Sequence, residues 1–460
     1  MNRSERILII GAGPTGLGAA WRLNELGQTN WRLIERSSHV GGLAASVRDA
    51  FGFTWDFAVH VAHSHYHYFD RLMEIVLPGG FYTHERRSWV REYGAWIPYP
   101  FQYNFRHLPA VARDECLDGL RAIAGTKNPP PRNFEEWIMN SSGTGIAKHF
   151  MVPYNSKIWR TEPCAMNCHW LGDRVPVVDL VRVERNLCEG RDDVTWGPNQ
   201  TFQFPKTGGT GAIWEAMAAR LPRERISLST ALLSINRDAH HATFSDGTVE
   251  RYDTIISSIP VPRLTEMVGD GLLHDAASRL RYTHVQVACV ACDFPIPPEL
   301  ADKTWVYCPE DTIFYRVTPF SIFSAAHVPD PAKHCSFMCE ISTPGDGTIL
   351  PEAEIAQRTL EGLRTSGMVN ATPQNSRVFH MKAEFGYPVP TTDRDDLLNI
   401  LIPGLERSGI FSRGRFGGWK YEVANMDHSV MQGVEAANRI VNGEKEITWA
   451  QPNIVNVGKQ

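Results

Sequence analysis

The most regular apolar pattern lies at the start of the chain. Ile7-Leu8-Ile9-Ile10 is an unbroken aliphatic run that ends at a glycine. Such a run predicts a short strand buried on both faces, as in a parallel sheet. From Leu17 to Leu26 the apolar residues take helical spacing, and Trp31-Arg32-Leu33-Ile34 is again strand-like and ends in Glu35. The order is strand, turn, helix, strand, acid. Thr254-Ile255-Ile256-Ser257-Ser258 predicts another buried parallel strand, and Gly409-Ile410-Phe411-Ser412 a last short one. Helical patterns are expected over Glu115–Ile123, Phe134–Met139, Ala212–Leu221 and Ala353–Leu363. A final helix is expected to run to Val441, capped by Asp427 or Ser429. Alternation dominates from Val285 to Val378, where antiparallel strands are expected, among them Trp305-Val306-Tyr307 and Phe314-Tyr315-Arg316-Val317. Pro153 to Trp159 reads as an interruption of the helical region, and Ile226 to Gly247 as hairpins.

The turn between the first strand and helix is Gly11-Ala12-Gly13-Pro14-Thr15-Gly16. Gly11 permits the tight turn, Gly13 lets a pyrophosphate approach the backbone, and Gly16 lets the helix pack on the strand. Glu35 stands where a carboxylate can accept from the hydroxyls of an adenosine ribose. Strand, turn, helix and acid agree on a bound dinucleotide. Arg36 and then Gly41-Gly42-Leu43-Ala44 follow, a pattern that resembles flavoproteins related to amine oxidases and glutathione reductase. That resemblance favours FAD over NAD, with Gly42 and Leu43 beside the flavin-side phosphate and ribityl.

The fold class expected is α/β: a discontinuous Rossmann-like FAD-binding domain, a helical domain and an antiparallel β-sheet domain. The boundaries expected are 1–80, 206–275 and 405–460 for the first. The helical substrate domain takes 108–195, and the sheet domain takes 81–107, 196–205 and 276–404. With 460 residues the chain can bury several cores. A net charge of −5 gives no broad basic surface for nucleic acid or anionic lipid. No apolar run is long enough to span a bilayer. The first strand opens within a few residues of Met1, so no cleaved leader is expected. Nine scattered cysteines lack metal-box spacing, and Cys289 and Cys292 should point to opposite faces of one strand. All nine are expected as reduced thiols in a cytoplasmic protein.

Candidate chemistry lies in the aromatic and histidine-rich stretches. His63, His65 and His67 alternate, which would line one strand face, but no carboxylate or cysteine is placed in sequence to complete a metal shell, so none is expected. Ala95 to Gln102 is aromatic and proline-stiffened, with one amide, and suits stacking a flat ring and reading its edge.

Several stretches together resemble the UDP-galactopyranose mutases, especially the eukaryotic-type branch: Gly11 to Ala20, Ser64 to Asp70, Tyr99 to Asn104, Gly143 to Trp159, Trp170 to Val175, Trp196 to Pro205, Phe314 to Arg316 and Ser412 to Ser429. The resemblance implies a redox-neutral isomerisation with reduced FAD. Flavin N5 attacks the anomeric carbon, UDP departs, the sugar ring opens and recloses through another hydroxyl, and UDP returns. NADPH or NADH would reduce the flavin transiently. By the same resemblance, Arg174 and Arg316 clamp the diphosphate, aided by Tyr307, Tyr387 and Tyr421. Tyr99, Phe101, Gln102, Asn155 and Trp159 form the uridine site. Asn199, Arg415 and Asn425 lie near sugar and flavin, His60 is the histidine of the mobile loop, and Arg86 contacts the flavin. Thr15 and Met426 join the cofactor contacts.

The chain departs from that family at three places. Ala58-Val59 stands where two glycines precede the loop histidine, and a β-branched residue is stiffer. His63 replaces an aromatic residue, and Phe323 stands where a tyrosine is usual near the substrate. These departures raise a sugar other than galactose, such as arabinose or a modified hexose. The fold alone also permits an FAD-dependent oxidoreductase of the amine-oxidase or protoporphyrinogen-oxidase group.

Overall fold

The computed structural model describes residues 5–172, 175, 177–194 and 200–460. The aliphatic run Ile7–Ile10 is the central strand of a five-stranded parallel sheet. Ile410–Ser412 and Thr254–Ser257 lie on one side of it, Trp31–Ile34 and Ile226–Ser227 on the other. The register aligns Ile7 with both Thr254 and Trp31. All four residues of the central strand are buried, because helices cover both faces. On one face Pro14–Glu25 and Met426–Asn442 pack together with Trp214 and Met217. On the other, Val261–Val268, Gly271–Ser278 and Arg394–Glu406 enclose Leu8, Ile10 and Ile255. The two helices of the first face meet backbone to backbone. A methyl group built on Gly18 would lie 2.5 Å from the Val430 carbonyl oxygen, and one on Gly433 2.0 Å from that of Thr15.

A second, seven-stranded sheet runs Ser376–Pro388, Tyr282–Cys292, Cys335–Pro344, Arg316–Pro319, Trp305–Tyr307, Ser88–Glu92, Ala95–Pro98. It is mixed rather than purely antiparallel: Trp305–Tyr307 pairs parallel with Ser88–Glu92. The strand Tyr282–Cys292 is its spine, and Cys289 and Cys292 do enter different hydrophobic clusters on its two faces. All nine cysteines are free.

The helical region is more continuous than the sequence suggests. Phe134–Ile146 runs through a π-helical turn at Ala147–Met151 into Val152–Trp159. Pro153 does not interrupt it, because it follows directly on the π-helical turn, where the regular i→i−4 bonding is already broken. Gly143, at φ 71°, kinks the first segment, and there a side chain would strike Gly119. Ile226–Ser227 belongs to the parallel sheet, so the hairpins begin only at Leu232–Asn236, His241–Phe244 and Val249–Arg251. The final helix is capped at Asn425, not at Asp427 or Ser429, which lie within its first turn. Among the described residues no helix is long and apolar enough to cross a membrane.

Candidate active site

The glycine turn forms as its spacing predicts. Gly11 has φ 101°, and a methyl group on Gly16 would lie 1.8 Å from the Gly11 carbonyl oxygen, so the helix can sit this close to the strand only without a side chain. Gly13 is the N-cap of Pro14–Glu25. A methyl group there would meet nothing nearer than 3.9 Å, at Gly42. The two glycine turns thus pack against each other at a helix N-terminus, with Gly41 N–H donating to the Ala12 carbonyl, and the backbone left bare there is a cradle that fits a pyrophosphate. Glu35 accepts from Ala12 N–H and Ser37 N–H at 2.8 Å each, which fixes its carboxylate beside the turn with lone pairs to spare. Thr15 is buried and touches Gly414, where a methyl group would strike its hydroxyl. Leu43 is half-buried against the cluster around Leu8, Ile10 and Ile255, Arg36 is exposed and Met426 buried.

A cavity of about 330 Å³ opens where the helical region meets the mixed sheet. Ten of the candidate residues line it: Arg86, Tyr99, Gln102, Asn155, Trp159, Tyr307, Arg316, Tyr387, Tyr421 and Asn425. They come from chain segments far apart, and aromatic packing fixes them. Tyr307 stands edge-on to Tyr99 at 5.2 Å and to Tyr154 at 5.1 Å, and Trp159 edge-on to Tyr421 at 4.9 Å. Trp305 Nε1–H donates to the Tyr307 hydroxyl. Asn155 donates to the Met151 carbonyl at 2.8 Å. Gln102 is 0% exposed, yet among the described residues its Oε1 has no hydrogen-bond partner. A buried, unmatched acceptor at a cavity wall suits a ligand that brings an N–H.

Charge in the cavity is organised by one carboxylate. Glu340 is 0% exposed and sits in the middle of the Cys335–Pro344 strand. Arg316 grips it through Nε at 3.0 Å and Nη2 at 2.8 and 2.6 Å. Tyr315 O–H donates to it at 2.6 Å and Val59 N–H at 3.0 Å. Burial alone would raise the Glu340 pKa, but Arg316 outweighs it and holds the group below its ordinary value. Arg316 stays charged, with 18% of its side chain exposed at the cavity. A planar guanidinium locked from behind presents its free edge to an anion with little entropy left to lose.

Other candidates stand behind the wall. Phe101 is fully buried and stacks on Phe150, centroids 4.7 Å apart, and Phe150 is the ring that faces the cavity. Arg415 donates to the Gly386 carbonyl and lies over Tyr387 and Tyr421. His60 bonds through Nδ1 to the Ala58 carbonyl oxygen. Burial, with Arg415 nearby, lowers its pKa to about 4, so it is neutral at pH 7. Ala58 and Val59 avoid the left-handed region, so this loop holds its shape without glycine. Arg174 and Asn199 lie outside the described residues.

Three expectations need correction. His63, His65 and His67 do not share a strand face: His67 begins a helix, and only His63 and His65 line the cavity. A carboxylate does stand near them, since Asp427 accepts from His65 N–H at 2.9 Å, pairs with His65 Nδ1 at 2.7 Å, and neighbours His428. It was hidden because 362 residues separate Asp427 from His65. Phe323 is 0% exposed and packs among Phe202, Phe204 and His84, so the hydroxyl it lacks would not face the cavity.

Cavity residues outside the candidate set are Phe150, Met151, Tyr154, Ile158, Trp170, Val175, Tyr315 and Asn456. Glu340 left one signal in the sequence: it is the only charge in an otherwise uncharged ten-residue strand.

A glycine cradle on a parallel sheet, joined to an aromatic and cationic cavity, defines a nucleotide-cofactor enzyme with a separate substrate lobe. The family model for flavin-containing amine oxidoreductases matches residues 14–441, so the class is that of the flavin amine oxidoreductases. The fold recurs in a putative protoporphyrinogen oxidase from Exiguobacterium sp. 255-15, at 17% identity and TM-score 0.72 over 96% of this chain and 99% of that one. A crystal structure of reduced UDP-galactopyranose mutase matches at 42% identity and TM-score 0.94, covering 99% of this chain and 98% of that chain. The chain belongs to the UDP-galactopyranose mutase family.

Proposed function

We propose that the protein is a flavin-dependent UDP-sugar pyranose–furanose mutase. One observation carries the reading: Arg316, locked on buried Glu340, faces a cavity that the unmatched Gln102 acceptor and aromatic rings also line. A diphosphate needs the first and a uracil N–H the second. FAD fits the cradle at Gly13 and Glu35, and when bound and reduced it supplies the nucleophile that releases the sugar from UDP. Arg316 binds the diphosphate and stabilises charge as UDP leaves, with Arg174 as its partner clamp. Tyr307, Tyr387 and Tyr421 offer hydroxyls to the same oxygens. Tyr99, Gln102, Asn155 and Trp159 hold the uridine, with Phe101 backing Phe150. Asn199, Arg415 and Asn425 serve the sugar end. Neutral His60 stands on the flavin side.

In this reading residues 1–80, 206–275 and 405–460 form the cofactor domain and 108–195 the helical domain. Residues 81–107, 196–205 and 276–404 form the sheet domain. NADPH or NADH serves as transient reductant, and nine free thiols suit the reducing cytoplasm. With Phe323 turned into the core, His63 is the one altered side chain at the cavity. The sugar is therefore open between galactose and a pentose or modified hexose. Incubating reduced protein with a panel of UDP-sugars and separating pyranose from furanose forms tests both points. A furanose product identifies the sugar. A flavin-loaded, reduced protein that converts none of them refutes the reading.

A further inference from the structure

Behind the loop that carries His60 lies a buried acid outside the described machinery. Asp56 ends the strand Thr54–Asp56 and is 0% exposed. Ser46 O–H donates to its Oδ1, and Ser46 in turn accepts from Gly211 N–H at 2.7 Å. Thr210 N–H lies 3.3 Å from both carboxyl oxygens. The Thr210 hydroxyl, also fully buried, is 2.7 Å from Asp56 Oδ2 and 2.7 Å from the His60 carbonyl oxygen. A hydroxyl carries one hydrogen, and a carbonyl oxygen can only accept. If Thr210 donates to His60, it must accept from Asp56, and only a protonated carboxyl can donate.

We propose that Asp56 is a positioning residue which, as a neutral acid, donates through the Thr210 hydroxyl to the His60 carbonyl and so fixes the base of the His60 loop. The inference rests on the mutase reading for its effect on turnover. Its chemistry does not: burial pushes the Asp56 carboxyl up to about 7, against the opposing bonds from Ser46 and Thr210. The groups facing it are Ser46, Thr210 and, from the Tyr282–Cys292 strand, the thiol of Cys289, whose own pKa is raised by burial and then by Asp56. Among the described residues no cation pairs with Asp56. The second hold on the loop, Val59 N–H to Glu340, does not titrate in this range, because Glu340 is kept ionised by Arg316. Protonation of Asp56 thus selects whether the loop is held at one end or both.

The test uses full-length, flavin-loaded protein. Infrared spectra taken below pH 7 should contain a carboxylic-acid carbonyl band that Asp56→Asn removes. Amide exchange at residues 57–61, without substrate, should accelerate above pH 7 in the wild type beyond its intrinsic base dependence, and not in Asp56→Asn, whose amide donates at every pH. Turnover of the wild type should fall as pH rises through 7, while Asp56→Asn keeps a flat profile. Thr210→Val should lose turnover about tenfold below pH 7, the size of one hydrogen bond, with the difference from wild type shrinking above pH 7, and Thr210→Ser should restore it. Absence of the band, or identical pH dependence in wild type and Asp56→Asn, overturns the proposal. The band and the exchange need no substrate, so they stand or fall apart from the mutase reading.

Discussion

The cofactor cradle and the substrate cavity are built in opposite ways. The cradle is made of backbone: Gly11, Gly13, Gly16 and Gly42 act by having no side chain, and they lie within one short stretch of chain. The cavity is made of side chains delivered by at least five distant segments, from His63 to Asn456. A backbone site is lost when an atom is added. A side-chain site is lost when one is removed, most of all where the removal strands a buried charge.

That contrast can be broken most severely at Gly13. A Cβ on Gly13 makes only ordinary contact with the Gly42 backbone, at 3.9 Å, so in Gly13→Val the fold should survive while flavin absorbance and turnover are lost. Retained flavin would mean that the cradle does not seat a pyrophosphate there. Arg316→Ala should do the reverse. Flavin stays bound, turnover drops by about 10²–10³-fold, and denaturant unfolding reports a loss of ~3–5 kcal/mol, because Glu340 is left buried without its cation.

Asp427 tests the seam between the two regions. Burial alone would raise its pKa, but His428 and the bonds from His65 lower it from 3.8 to about 2. A carboxylate with a depressed folded pKa stabilises the fold above 3.8 and loses that contribution as pH falls through 2. Asp427→Asn should therefore cost on the order of 2 kcal/mol at neutral pH, and acid titration of both proteins should show the difference vanishing near pH 2. The smallest effect is expected at Gln102. Gln102→Ala removes an acceptor that the protein itself does not use, so stability should hold while UDP binds about tenfold more weakly by calorimetry.

The same contrast explains what the sequence could disclose. A strand, a glycine turn, a helix and an acid are adjacent in the chain, so spacing alone predicts Gly11 to Glu35, and the parallel strands Thr254–Ser257 and Ile410–Ser412 show as apolar runs. Asp427 beside His65, or Asn456 at the cavity, depends on chain return over hundreds of residues, and no local pattern encodes it. The Pro153–Trp159 segment misled because proline reads as a breaker, although here it follows directly on a π-helical turn that already departs from i→i−4 bonding. Phe323 misled because a substitution within a matched stretch does not reveal which way a side chain turns. Most of the aromatic and amide positions carried over by family resemblance do meet at one cavity. The rings and the acid that hold them, Phe150, Tyr154, Tyr315 and Glu340, became visible only in three dimensions.

The most direct measurement follows UDP-galactopyranose with oxidised and with dithionite-reduced protein, recording the ring form of the sugar and dissolved oxygen together. The account predicts furanose product from the reduced protein only, with no oxygen consumed in proportion to it. Oxygen uptake in step with product, or no ring-contracted product from any UDP-sugar, would contradict it.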